Sequence, residues 1–127
     1  MKNEQNIEDL HFEHRLWKSE ANFYEDELKI YLKQVEEVAK RNSSSNVGEK
    51  VTYFEDKFKL KNEKLQSLIK EIIDHERRLA DIEKNDTHKT MSGNSTDHAK
   101  MRKKFVEFKE KYSKLKSEFM LFLEDQM

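Results

Sequence analysis

The chain contains five histidines and no cysteine, so imidazole is the side chain best suited to bind a transition ion or to titrate near neutral pH. His11 and His14 stand three residues apart, which sets both on one face of a helix. A first turn centred near Ser44 or Ser45 brings His14 level with His75 on the following helix, so two or three imidazoles meet in one layer. Neutral imidazole nitrogens ligate zinc, iron or copper, and Glu8, Glu13, Glu71 or Glu76 can complete a ligand set with His11, His14 and His75. Glu8 and His11 form the Glu-x-x-His spacing that di-iron carboxylate bundles place on two helices. Here the pattern occurs once, and its second half would have to come from a second chain. The plainer reading is a buried polar layer, in which histidines at seam positions bond one another or nearby Glu and Tyr and fix the register of the helices. A layer that responds to pH is the third reading. A transition ion is the only cofactor these residues suggest.

These side chains are carried by three long amphipathic stripes. The first runs Ile7, Leu10, His14, Trp17, Ala21, Tyr24, Leu28, Tyr31, Val35, Val38, at alternating spacings of three and four. The second runs from Val51 and Phe54 through Leu65, Leu68, Ile72 and His75 to Ile82. The third runs His98, Met101, Phe105, Phe108, Tyr112, Leu115, Phe119, Phe122. Sustained heptad spacing of this kind predicts helices over 7–40, 48–84 and 97–125. Leu16, Phe23 and Ile30 form a second row beside the first stripe, and this width implies two neighbouring helices. Residues 41–47 and 85–96 gather Ser, Asn, Thr and Gly and read as loops. Asn46 with Glu49 resembles a capping box, and Thr96 or Asp97 is placed to cap the third helix.

The fold class expected is therefore all-α, a single domain over 1–127, with three long helices in an antiparallel up-down-up bundle. A larger helical bundle formed by dimerisation is the alternative. In outline the architecture resembles spectrin-type three-helix bundles, and heptads by themselves carry no function with them. Net charge by segment agrees with this topology: counting Asp, Glu, Lys and Arg, the first helix carries −4, the second is neutral and the third +2. The first and third helices, parallel in such a bundle, attract along their length.

Charged residues make up 40% of the chain, and the net charge is −1, which gives no overall attraction to nucleic acid or to an anionic membrane. The polar start of the chain and the lack of a long apolar run predict no signal core and no membrane span, and hence a cytoplasmic protein. Lys100, Arg102, Lys103 and Lys104 form a local basic cluster, the basis for a weak nucleic-acid-binding reading. The acidic start of the first helix lies at the same end and offsets it. Lys61 interrupts the second stripe and is within reach of Glu25 or Glu27. The run Phe119, Met120, Leu121, Phe122, Leu123 cannot face one side of a helix, so part of it is exposed and forms the candidate surface for a protein partner or for self-association. Without a nucleophile elbow, a phosphate loop or a specific metal motif, the chain reads as a non-enzymatic interaction or adaptor module with no small-molecule substrate. A metal-binding or pH-sensing bundle is the second reading.

Overall fold

The computed structural model describes residues 7–85 and 88–126, and the side chains of all of these except 7, 82, 83, 85 and 88–97. It consists of three helices, α1 (Ile7–Arg41), α2 (Ser45–Asn85) and α3 (His88–Asp125), joined as a three-helix bundle. At 1.5 Å per residue they are about 50–60 Å long, and no helix is long and apolar enough to cross a membrane among the described residues.

The first connection is shorter than the composition suggests, because Ser45 to Val47 are already helical. Ser44 is the cap. Its hydroxyl accepts from the Val47 N–H at 3.4 Å, while the Asn42 side chain accepts from the Ser44 N–H at 3.1 Å. A short hydroxyl side chain at this position satisfies a backbone donor that the first helical turn leaves without a partner. The capping box expected at Asn46 and Glu49 is thus replaced by a cap two residues earlier. Glu8 and Asp9 in the first turn of α1, and Lys40 and Arg41 in its last, complement the helix dipole.

The second correction is larger. The loop expected over 85–96 is helical from His88 onward, and Thr96 and Asp97 lie within α3 instead of capping it. Ser, Thr and Asn cost a helix only tenths of a kcal/mol each relative to Ala, and Gly about 1. With no proline in the chain, a helix already formed downstream can extend through such a segment. The seam positions Ile7 and Ile82 have side chains outside the described residues.

Contacts between helices fix their directions. Along α1, Glu25, Tyr31 and His14 meet Gln66, Phe58 and Glu76 of α2, so that α2 partners descend as α1 numbers rise. Between α1 and α3 the offset is constant. Glu13 pairs with Arg102, Glu20 with Lys109 and Glu27 with Lys116, each separated by 89 residues. The backbones of α1 and α3 approach less closely than those of either helix with α2, and long charged side chains span the wider gap.

The core is the stripe residues. Ala21, Val35, Phe58, Leu65, Leu68 and Phe119 are fully buried, with Leu28, Met101, Phe105 and Tyr112 nearly so. At the end holding the first turn, Tyr31, Phe54, Phe58, Phe119 and Phe122 form an aromatic cluster with ring centres 5.0–6.2 Å apart. Tyr112 donates to Glu27 at 2.8 Å from inside the core. Burial, reinforced by Glu27, pushes its phenol well above the ordinary range. Leu65→Ala is expected to cost about 2–5 kcal/mol, because it removes buried methyl groups and leaves a cavity, and Ser44→Ala about 1 kcal/mol. Urea unfolding followed by circular dichroism measures both, and equal losses for the two would contradict this account.

Candidate functional site

Three of the heptad seams carry a histidine at the same height. His14 of α1, His75 of α2 and His98 of α3 are 2%, 5% and 0% exposed. Their ring centres lie 4.9 Å apart for His14 and His98, 6.0 Å for His14 and His75, and 6.5 Å for His75 and His98. Leu10 and Leu79, one turn further toward the start of α1, are fully buried. On the other side Trp17 stacks on His98 at 4.7 Å and reaches His14 at 5.7 Å. Apolar side chains of α1 and α2 therefore flank the layer on one side and the Trp17 indole on the other.

Carboxylates hold the layer from outside. Glu13 accepts from the Nε and Nη2 of Arg102 at 2.8 and 2.7 Å, and lies 2.6 Å from Nε2 of His98. The bidentate Arg102 contact holds the Glu13 carboxyl down at about 2, against burial, which acts in the opposite direction; His98 adds to the lowering. An ionised carboxylate only accepts, so Nε2 of His98 is the donor. Burial pushes the His98 imidazole below its ordinary 6.5, outweighing the opposing pull of Glu13. The ring is then neutral and Nδ1 carries a lone pair. Glu76 repeats the arrangement on the other side, with one oxygen 2.6 Å from Nδ1 of His14 and the other 2.7 Å from Nδ1 of His11. With Nδ1 of His14 turned to Glu76, its Nε2 faces inward. Both inner atoms, Nε2 of His14 and Nδ1 of His98, are buried without a hydrogen-bond partner among the described residues. Each such atom in a dry interior costs about 1–3 kcal/mol.

Of the candidate metal ligands, the structure brings His14 and His75 into one layer and leaves His11 at its rim, sharing Glu76. Glu71 pairs instead with Lys104 at 3.0 Å, and Glu8 is exposed. His98 is the member that the sequence reading left out of the layer. The charge ladder was the available signal, because matching Glu13, Glu20 and Glu27 with Arg102, Lys109 and Lys116 sets His98 beside His14. Among the described residues, no group of three or more His, Asp or Glu stands in position to hold an ion as the side chains are placed.

The other candidates also resolve. Arg102 and Lys104 of the basic cluster are engaged with Glu13 and Glu71, leaving Lys100 and Lys103 exposed. Lys61 does not meet Glu25 or Glu27, which bond Gln66 and Tyr112 with Lys116. Burial, with Lys111, Lys57 and Lys64 nearby, lowers its pKa. In the C-terminal run Phe119 and Phe122 belong to the core and Leu123 packs against it, so the expected surface narrows to Met120 and Leu121. They alternate with core positions because the helix turns 100° per residue.

A larger apolar surface lies elsewhere. Leu16, Phe23 and Ile30, expected to widen the buried arc, are 47%, 58% and 56% exposed. They run at heptad spacing along the edge of α1 beside Glu13, Glu20 and Glu27. Across the ladder on α3, Val106 and Met120 are exposed too. Near the histidine end this face forms a cleft of about 380 Å³ lined by Leu16, Trp17, Phe105 and Val106 together with the Glu13, Glu20, Arg102 and Lys109 side chains.

The pH dependence follows from the two lowered groups. At His98 the unfolded chain takes up a proton below 6.5 that the folded chain refuses, so stability is full above 6.5 and falls with acid. Glu13 adds a second loss between 4.5 and about 2, where only the unfolded carboxyl is protonated. The slope from each group is at most about 1.4 kcal/mol per pH unit. Chemical denaturation at pH 7.5, 6.5 and 5.5 is expected to show declining stability, and His98→Leu is expected to flatten that part of the curve. Stability that stays level or rises toward pH 5.5 would refute the assignment.

Comparison of the chain with protein-family models, with curated proteins and with solved structures finds no match in any of the three.

Proposed function

We propose that the protein is a non-enzymatic, cytoplasmic interaction module whose α1–α3 face seats an amphipathic helix of another protein. The observation that carries this reading is the outward row Leu16, Phe23 and Ile30. Its heptad spacing is that of a helix-packing seam, yet the bundle leaves each member about half exposed. Val106 and Met120 border the same face from α3. The wider separation of α1 and α3 leaves a groove between them, the shape into which a further helix packs in four-helix bundles. The Glu and Lys or Arg ladder on its floor offers charges of both signs to the polar flanks of the incoming helix. Met120 extends the apolar surface of this face toward the other end of α3.

Surface positions outside the core are replaced at modest cost in stability, usually within about 0.5 kcal/mol each. A Leu16→Ser, Phe23→Ser, Ile30→Ser variant is therefore expected to melt close to the parent and to lose its partner. A photo-crosslinking residue introduced at Phe23 in living cells is expected to trap a discrete protein, while the same residue at Lys59, exposed on α2, traps none. Recovery of the chain cross-linked to itself would identify the occupant as a second copy. Equal yields at both positions, or partner capture unaffected by the triple substitution, would refute the reading.

A further inference from the structure

We propose that His14, His75 and His98 form a binding site for a divalent first-row transition ion such as zinc, with one imidazole from each helix and with Glu76 and Glu13 as outer partners. The argument is geometric and independent of the apolar face. Two of the three rings are already oriented as ligands. Nδ1 of His14 faces Glu76 and Nε2 of His98 faces Glu13, each at 2.6 Å. Their opposite nitrogens are buried without a hydrogen-bond partner. Glu13 accepts from Arg102 through both oxygens, so it accepts from His98 as well and leaves the inner nitrogen of that ring with its lone pair. A carboxylate that receives the outer N–H of an imidazole, fixing its tautomer and orientation, is the usual companion of a metal-ligating histidine.

Spacing supports the same conclusion. Three imidazoles bound at 2.0–2.1 Å to one tetrahedral ion have ring centres about 5 Å apart. Here the separations are 4.9, 6.0 and 6.5 Å. His14 and His98 already meet that value, and His75 must approach by about an ångström, through rotation about its side-chain bonds, for the three to converge. This closure is why the side chains as placed do not yet constitute an ion site. Glu76, one imidazole away, offsets part of the charge of a buried dication, while the Glu13 charge is already shared with Arg102. A tetrahedral ion held by three imidazoles keeps its fourth position for a water molecule or hydroxide, as in three-histidine zinc sites. The ligand set differs from the one read in the sequence, because His11 is held outside by Glu76 and His98 takes its place.

The test uses the full chain without a histidine tag, stripped with a chelator and titrated with zinc chloride. Dialysis followed by mass spectrometry is expected to retain one zinc per chain. The thermal midpoint is expected to rise by roughly 10 °C at free zinc a hundredfold above the dissociation constant. His98→Leu and His75→Leu, both volume-compatible with an apolar seam, are each expected to abolish retention while folding in chelator as well as the parent does. His11→Ala is expected to retain one equivalent. Should either leucine variant fail to fold, cobalt added to the parent chain is still expected to give the visible absorption of a tetrahedral ion with nitrogen ligands. No saturable zinc or cobalt uptake by the parent would overturn the proposal. So would tight binding that survives His98→Leu or that disappears with His11→Ala.

Discussion

The register between α1 and α3 determines which residues share a layer, and everything else in the bundle follows from it. It is marked by Glu13, Glu20 and Glu27 against Arg102, Lys109 and Lys116, but partly exposed ion pairs of this kind are individually worth about 0–1 kcal/mol. Nor do they distinguish neighbouring registers well, because sliding α3 by one heptad would keep two of the three pairs. The apolar seam has the same weakness, since it repeats every seven residues. The histidine layer breaks that repetition. A shift of one heptad would carry His98 from His14 to the level of Ala21, burying its ring away from Glu13. A single polar layer thus selects one register from several that are nearly equivalent in apolar contact.

The rest of the bundle fits around this selection. The aromatic cluster at the opposite end packs α2 on α3 through Phe54, Phe58, Phe119 and Phe122. The two ends differ in character. One is aromatic and apolar; the other is polar inside and ringed by charge. Leu65 and Leu68 lie between them as ordinary core.

Much of this was legible in the sequence. The stripes predicted three helices because heptad spacing persists along each, and the clustered serines placed the first turn closely enough to set His14 level with His75. The sequence does not place His98 for a specific reason: residues 85–96 read as a loop of unknown path, which leaves the height of α3 against α1 open. Ser, Asn and Thr only weaken a helix, and without proline nothing in that segment forces the chain out of one. Periodicity alone assigns the outward row on α1 to the core, because it reports the width of an apolar arc and not how many neighbours exist to cover it. The same limit applied to Phe119–Leu123, where composition could not say which two of the five residues would face water.

Trp17 is the chain's single tryptophan, and it lies against His98 and within ring contact of His14. An indole excited next to an imidazolium loses its emission far more readily than one next to a neutral imidazole. The aromatic residues at the far end are Phe and Tyr, which do not absorb at the red edge of the indole band. The bundle therefore carries an intrinsic optical reporter at the layer where its polar chemistry is concentrated. Emission from the unlabelled protein reads the two histidines that Trp17 touches, His98 and His14, without reference to the rest of the core.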